Sequence, residues 1–544
     1  MKHLNRKNPL KKRSLLFAGS LLASVSMLGG CSTSEVQKVI VGVYPNVAAS
    51  NAKISEEFAS SAKTLTEKAF EYFRQIAKIP RQSKDLEKIS SYITGFASGL
   101  GFPVTKDAAG NIAFDVPASK GCEDYEKVIL QAHLDMVVSW SADNVGFDPL
   151  KDPIHLKENE ESFHSDGTTN IGADDGEGLC TLLAIASSDS STCAHGPLRF
   201  LFTTDEDIGL VGAIAMDASL LDSNYLINVD GSCVGEIIYA SAGSLLGTFE
   251  AEDSMQALPE GYSLVSAEVK GLKGGHSSLH ASEKLLGSIK VMKNLLDTLD
   301  SETSDWYLSS LAGGEVSNAI PNSATITFAL PKDKKELVMS KINESYQALK
   351  GDYPGETDAE FSCKEVTDAS SAQVFSSQTS AKIHDLIAHL PDGTIDSNED
   401  SQTSSNVSPV KIKDGKISVS ALFRSLKSSE LARIKTDFSS YANQNGFTYS
   451  SSADFPAWEQ DKNDPFINFY YDAFRTVCGL EGVKSKCAGG LETSLFSQKK
   501  PGMKMLSVGA DVKGEHVLSE TLYKKSFPAH MATLLSVLKN INKI

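Results

Sequence analysis

Five short acidic or histidine-bearing segments, spread from residue 133 to residue 516, constrain this chain more than anything else in it. They read Gln131-Ala-His133-Leu-Asp135, Gly172-Ala-Asp174-Asp175-Gly176, Asp205-Glu206-Asp207, Asn228-Val-Asp230 and Gly514-Glu-His516. The first, third and fourth follow apolar runs of strand character: Val128 to Leu130, Leu198 to Phe202 and Tyr225 to Ile227. A strand buried on both faces is built of Val, Leu and Ile, so a carboxylate or imidazole at its end calls for a reason. Open α/β sheets place their sites at the carboxyl ends of their strands. Two His and several carboxylates form an oxygen-rich donor set with some nitrogen, which suits a pair of divalent cations.

The flanking pattern agrees with such a sheet. From 104 to 240 the chain alternates strand, loop and helix, with strands at Asn111–Asp115 and Val128–Ala132 and a helix over Gly178–Ser187. At Ser241-Ala-Gly-Ser244 the character changes, as at a hinge. Residues 245–455 read as α+β, with two β-helix-β passages in succession that suggest two related subdomains. From 456 the first pattern returns, with a helix at 465–478, a strand at 503–508 and a helix at 526–541. The expected fold is α/β: a mixed, mostly parallel sheet flanked by helices, in a catalytic domain split into 61–240 and 456–544 around an inserted α+β lid, 241–455. A chain of 544 residues is in any case too long for one core.

The net charge of −17 argues against nucleic acid as a partner. Lys2, Arg6, Lys7, Lys11, Lys12 and Arg13 precede an apolar stretch, Leu15 to Leu28, that is short for a membrane span. It ends in Leu28-Gly29-Gly30-Cys31, which resembles a bacterial lipoprotein signal with Cys31 as the lipidated residue. The expectation is a signal at 1–31, a tether at 32–60 and a membrane-anchored globular part outside the cytoplasm. The seven other cysteines show no CxxC pair and no regular spacing, so no disulfide framework is read.

Two cations about 3.5–4 Å apart need one carboxylate that bridges both. Asp174, on a loop with glycines on either side, suits that place because the backbone can come close. His133 is a natural ligand, and Asp135 is placed to hold its other ring nitrogen. If Asp205-Glu206-Asp207 is extended, neighbouring side chains point opposite ways, so one can bind metal while the next reaches a water. Asp230 and His516 complete two sets.

These segments resemble the bacterial aminoacyl-histidine dipeptidases (peptidase D, the Xaa-His or carnosine-splitting dipeptidases). They belong to the co-catalytic zinc exopeptidases that include acetylornithine deacetylase and succinyl-diaminopimelate desuccinylase. The resemblance runs from about Phe70 to the C-terminus. Its most specific marks are Val128 to Val137, Gly271-Leu-Lys-Gly-Gly-His-Ser277, Asn318-Ala-Ile-Pro321, Phe423-Arg-Ser-Leu426 and Gly490-Leu-Glu492. It implies a metallodipeptidase with two divalent ions, Zn²⁺ foremost, Co²⁺ or Mn²⁺ otherwise, and a homodimer. His133 and Asp230 would hold one ion and Asp207 and His516 the other, with Asp174 between them. Glu206 would be the general base, Asp135 its catalytic companion behind His133, and His276 the donor to the oxyanion. Arg424 would take the C-terminal carboxylate of a small peptide, with Asn318, Gly490 and Glu492 as further substrate contacts.

The chain departs from its relatives in places. It has Asp207 where they carry Glu, Glu515-His516-Val517-Leu518 where they carry Pro-His-Ser-Pro, Ala488 where they carry His and Ser317 where they carry Arg. The last two touch the substrate pocket, so strict histidine preference is not implied. Two other functions share the pattern: an N-acyl amino acid amidohydrolase, and a surface lipoprotein that keeps the fold as a binding module.

Overall fold

The structure is a computed structural model that describes residues 52–278 and 283–544. Cys31, the signal and most of the tether lie outside the described residues. The described residues reach into the segment expected to be tether: a helix spans Glu56–Ile76, and Phe58 on it is buried. Its apolar positions Phe58, Ala62, Leu65, Ala69, Phe73 and Ile76 recur at helical spacing and face the core.

The first sheet has eight strands. Their spatial order is Val104–Lys106, Ile112–Val116, Leu198–Thr203, Val128–His133, Tyr225–Val229, Lys504–Val508, Glu236–Ser241 and Val483–Cys487. The four from Leu198–Thr203 to Lys504–Val508 run parallel. Alternate side chains of these strands enter two separate cores. Val128, Leu130, Phe200 and Ile227 pack under the helices Glu56–Ile76, Ala173–Ala186, Pro465–Cys478 and Phe527–Asn540. Ile129, Leu201, Leu226 and Met505 pack under Val211–Ala215 and Glu492–Lys499. Burial on both faces explains the continuous apolar runs, and it leaves the strand ends as the one place for polar groups.

The second sheet has nine strands, built from Gly243–Phe455. Its path resolves into two units of the same topology. One contains strands Tyr262–Lys270, Tyr307–Gly313, Ala324–Pro331 and Glu360–Glu365, with helices Ser288–Glu302 and Lys335–Gly351. The other contains Gly243–Glu252, Thr403–Lys413, Lys416–Ser425 and Thr448–Phe455, with helices Ser377–His389 and Ser428–Asn445. Each is β-α-β-β-α-β, and in each the strands lie in the order fourth, first, third, second. The two second strands pair antiparallel, from Leu311 opposite Ile412 to Gly313 opposite Val410. The units are nested, not successive: the first is inserted after the opening strand of the other.

The two sheets are joined at a double crossing, where Ser241 and Trp458 exchange backbone hydrogen bonds of 3.1 and 3.0 Å. A third small sheet matters for the site. Val512–Lys513 and Thr521–Tyr523 pair as a hairpin beside Ser162–Ser165, and the intervening loop carries His516. Among the described residues no helix is long and apolar enough to cross a membrane.

Gly178, on the helix behind Asp174, lies directly on the sheet. A methyl there would stand 2.0 Å from the Val229 carbonyl oxygen and 2.4 Å from Asp175 Oδ1. Gly178→Ala is therefore expected to cost about 1–3 kcal/mol, the usual penalty for an overpacked contact. Chemical denaturation checks it; an unchanged midpoint would show that the helix can lift from the sheet freely.

Candidate active site and metal centre

Four of the five segments meet at the carboxyl ends of the parallel strands, and the His516 hairpin closes over them. His133 is the last residue of its strand. Its Nε2 lies 3.0 Å from Asp174 Oδ1 and 3.7 Å from Asp230 Oδ1. His516 Nε2 lies 3.1 Å from Asp174 Oδ2 and 2.9 Å from Asp207 Oδ1. Each oxygen of the Asp174 carboxylate therefore faces one imidazole. Asp230 flanks the first and Asp207 the second. Three triads, Asp174–Asp207–His516, His133–Asp175–Asp230 and His133–Asp135–Asp207, have donor atoms within 4.8 Å of one another.

Local backbone explains how these groups are aimed. Gly172 adopts φ +60°, which turns the chain into Asp174 at the head of the Ala173–Ala186 helix, and the Asp174–Asp175 peptide is cis. A Cβ at Gly172 would lie 2.6 Å from Arg81 Nη2 and from Met136 Sδ, so only glycine fits both the conformation and the space. Asp175, which the sequence reading did not single out, accepts from the His133 amide at 2.9 Å and the Gly178 amide at 2.9 Å. It ties the strand end to the helix. His516 itself has φ +65°.

The segment Asp205-Glu206-Asp207 is a turn and not an extended strand. The strand stops at Thr203, Asp205 has φ +53°, and the Glu206 carbonyl accepts from Gly209 and Leu210. Asp135 fixes that turn. Fully buried, it accepts from the Glu206 amide at 2.9 Å, the Asp207 amide at 3.3 Å and Ser83 Oγ at 2.8 Å, with Oδ1 3.4 Å from His133 Nδ1. Asp207 Oδ2 takes the Val137 amide at 2.9 Å, so Asp207 is held in place although it is one methylene shorter than Glu. Among the described residues the Glu206 carboxylate makes no hydrogen bond.

The second group of expected residues gathers beside the nine-stranded sheet. Gly275–His276 and Ala319–Ile320 pair antiparallel as a separate two-stranded sheet, with His276 across from Ala319, and Ser277 N donates to the Asn318 carbonyl at 2.8 Å. His276 Nδ1 lies 2.8 Å from Ser278 Oγ. Arg424 Nη1 donates to Ser277 Oγ at 2.7 Å. His276, Asn318 and Arg424 thus stand around one tripeptide, although they come from both units. No carboxylate faces Arg424 among the described residues, and burial lowers its pKa to about 10. Gly489 borders this group, since a Cβ on it would lie 3.8 Å from Ser278 Oγ, whereas a Cβ on Gly490 would lie 2.6 Å from the Phe455 ring. Glu492 has no exposed surface. Its Oε2 accepts from Gln131 Nε2 at 2.6 Å and Thr203 Oγ1 at 2.7 Å, beneath the strand ends and not in the open cleft.

The electrostatics are those of an anionic pocket short of positive charge. Burial, and then Asp230, Asp207 and Glu492, push the Glu206 carboxyl well above its usual range. Burial, and then Asp174, Glu492 and Asp207, do the same to Asp230. Burial opposes charge on His516, yet its bonds to Asp174 and Asp207 outweigh that and hold its pKa at about 11. For His133, burial is likewise outweighed by Asp135 and Asp174. Buried carboxylates that outnumber the cations near them are what divalent ions neutralise, and the donors present are oxygen and imidazole nitrogen.

Residues 129–540 match the sequence model of Peptidase family M20/M25/M40. The chain is 31% identical over 481 residues to the cytosol non-specific dipeptidase of Escherichia coli K12, covering 87% of this chain and 97% of that one. It superposes on the crystal structure of aminoacylhistidine dipeptidase from Vibrio alginolyticus with a TM-score of 0.75 at 29% identity, covering 87% and 96% of the two chains. A shorter match, 27% over 191 residues, links it to peptidase T of Streptococcus sanguinis, covering 33% of this chain and 46% of that one.

The raised pKa values give a prediction. His516, held at about 11, carries a proton that a cation must displace, and the upward shifts of His133 and Asp230 act in the same direction. Cation binding to the metal-free protein should release protons, and its apparent affinity should rise with pH through the neutral range. Calorimetry in two buffers of different ionisation enthalpy checks this. Equal heats in the two would show that the ligands are already deprotonated.

Proposed function

This chain belongs to Peptidase family M20/M25/M40 and is a peptide-bond hydrolase, and within that class we propose that it is a two-zinc dipeptidase. The observation that carries the reading is the shared carboxylate: Asp174 presents one oxygen to His133 and the other to His516. His133 and Asp230 would hold one ion and Asp207 and His516 the second, with the Asp174 carboxylate shared between the two half-sites. When bound, the ions supply Lewis acidity, which makes a water a nucleophile near pH 7 and polarises the scissile carbonyl.

Every other step falls to this chain's own groups. Glu206 takes a proton from the attacking water and returns it to the leaving amine. Among the described residues its carboxyl makes no competing hydrogen bond, and its backbone is clamped by Asp135, so it is both free to act and fixed in place. Asp135 orients His133. His276 donates to the oxyanion of the tetrahedral intermediate. Arg424 and Asn318 receive the substrate's free carboxylate, and a guanidinium fork fits a carboxylate in two places at once. Gly490 lets the chain come close to the substrate, and Glu492 supports the floor. With Ser317 and Ala488 in place of bulkier basic groups, the pocket accepts dipeptides broadly, Xaa-His among them. The Escherichia coli relative is named a non-specific dipeptidase and the Vibrio relative an aminoacylhistidine dipeptidase.

A panel of free dipeptides, C-terminally amidated dipeptides and N-acyl amino acids tests the reading. The zinc-loaded protein should cleave the first class and leave the amidated peptides nearly untouched. Glu206→Gln should bind two zinc ions and lose about 10²–10⁴ in turnover. Preference for N-acyl amino acids, or equal cleavage of amidated peptides, would overturn the dipeptidase assignment.

We also propose that the mature protein is a lipoprotein held outside the cytoplasm through Cys31. The support is the basic n-region, the short apolar core and Leu28-Gly29-Gly30-Cys31. A diacylated cysteine anchors firmly, because two chains hold where one is marginal. The wild type should partition into detergent with the membrane fraction, and Cys31→Ala should be released or retain its signal. Wild-type protein recovered wholly in the cytosol with Met1 attached would refute the anchor and leave the enzyme reading intact.

A further inference from the structure

Beneath the shared carboxylate lies a second chain of contacts that repeats its path. Arg81 is 2% exposed, and Glu520 is fully buried. Arg81 Nη1 donates to the carbonyls of Leu134, at 3.2 Å, and Asp135, the two residues that follow His133. Arg81 Nη2 donates to the Gly172 carbonyl. From the other side Glu520 Oε2 accepts from the amides of Ile171 at 2.8 Å and Gly172 at 2.7 Å, and Oε1 from Asp174 N at 3.2 Å. Glu520 stands four residues after His516 in the same hairpin loop. The turn that presents Asp174 is therefore gripped by its carbonyl to the His133 strand and by its amides to the His516 loop.

Neither residue is placed to touch substrate. Each is buried and committed to backbone groups: Arg81 to the segments of His133 and Asp174, and Glu520, itself in the His516 loop, to the turn of Asp174. Burying such groups is costly, and the backbone contacts offset it: burial raises the Glu520 carboxyl to about 7, against the pull of the amides of Asp174, Ile171 and Gly172. We infer that Arg81 and Glu520 form one positioning pair that sets the spacing of the two cation half-sites. Arg81 fixes His133 relative to Asp174, and Glu520 fixes His516 relative to Asp174. The inference rests on the two-cation reading above.

The contacts assign each residue a different consequence. In Glu520→Gln an amide N–H₂ must face amide N–H groups of the Ile171–Asp174 turn, donor against donor, so the turn loosens from the His516 loop. The half-site of His516 and Asp207 should weaken, while that of His133 and Asp230 keeps its strand-borne anchor. In Arg81→Lys a single ammonium replaces a fork and cannot span carbonyls on both sides. Both half-sites should then weaken, since Arg81 ties the strand end to the turn they share.

The test is a stepwise zinc titration of the metal-free, full-length protein, followed by calorimetry, with thermal unfolding recorded for each variant. Wild type should bind two equivalents. Glu520→Gln should keep the first affinity near wild type and lose about 10–100-fold in the second, the usual effect of disturbing a ligand's support. Arg81→Lys should lose affinity in both steps. Hydrolysis by Glu520→Gln should recover on raising zinc, which a general loss of structure would not allow. A wild type that binds fewer than two ions sinks the two-cation reading itself. A wild type with two ions and a folded Glu520→Gln with unchanged affinities overturns the positioning pair alone. If Glu520→Gln does not fold, Glu520→Asp, which keeps the acceptors on a shorter stem, is titrated instead. Equal weakening of both steps there, or failure of that variant to fold as well, assigns the pair to general structure and overturns the inference.

Discussion

The carboxylate of Asp174, with one imidazole on each oxygen, is the contact on which the rest of the site depends. It holds together three parts of the chain that are far apart in sequence: a strand end, a helix head and a hairpin loop. Burial alone would raise its pKa, and the two imidazoles hold it far below its usual value instead. It is therefore the anion of the pocket that stays ionised. Around it Glu206 and Asp230 are pushed the other way. A buried pocket with this excess of carboxylate is unstable as a set of bare charges. It becomes consistent once cations share the oxygens, and the same cations would leave Glu206 as the group best placed to move a proton.

Much of this was legible in the sequence, and for a definite reason. Parallel strands buried on both faces have no use for His133 or Asp230 at their ends, so those residues stand out against Val128–Leu130 and Tyr225–Ile227. The split of the first sheet around an insert was visible too, because Lys504–Val508 pairs with Tyr225–Val229 across the 241–455 segment of other character. What stayed hidden was the support. Arg81 and Glu520 look like ordinary surface residues in sequence, since nothing local records that a guanidinium will be buried against three carbonyls. Asp175 is hidden by Asp174 beside it. The turn at Glu206 is hidden in sequence because a positive φ at Asp205, a non-glycine residue, leaves no compositional mark.

The nesting of the second sheet was hidden for a different reason. Sequence order suggests two passages one after the other, yet hydrogen bonding puts Gly243–Glu252 with Thr403–Lys413, Lys416–Ser425 and Thr448–Phe455, and the intervening unit folds as a guest. Repeated topology without a repeated sequence is expected when only the alternation of buried and exposed positions has to be kept.

That nesting has a consequence for the substrate clamp. Arg424 lies on the third strand of the host unit, opposite Ser244 at the mouth of the crossing between sheets. Its partner Ser277 belongs to the guest. A guanidinium largely out of water, with a hydroxyl and no carboxylate among the described residues, is costly to keep. An incoming carboxylate relieves that cost, and a peptide lacking one adds to it. Selectivity for a free C-terminus then needs no tight wall around the peptide. In the proposed clamp it would follow from a guanidinium held by one serine from the guest unit and one strand from the host, so the two units would have to be in register for the clamp to work.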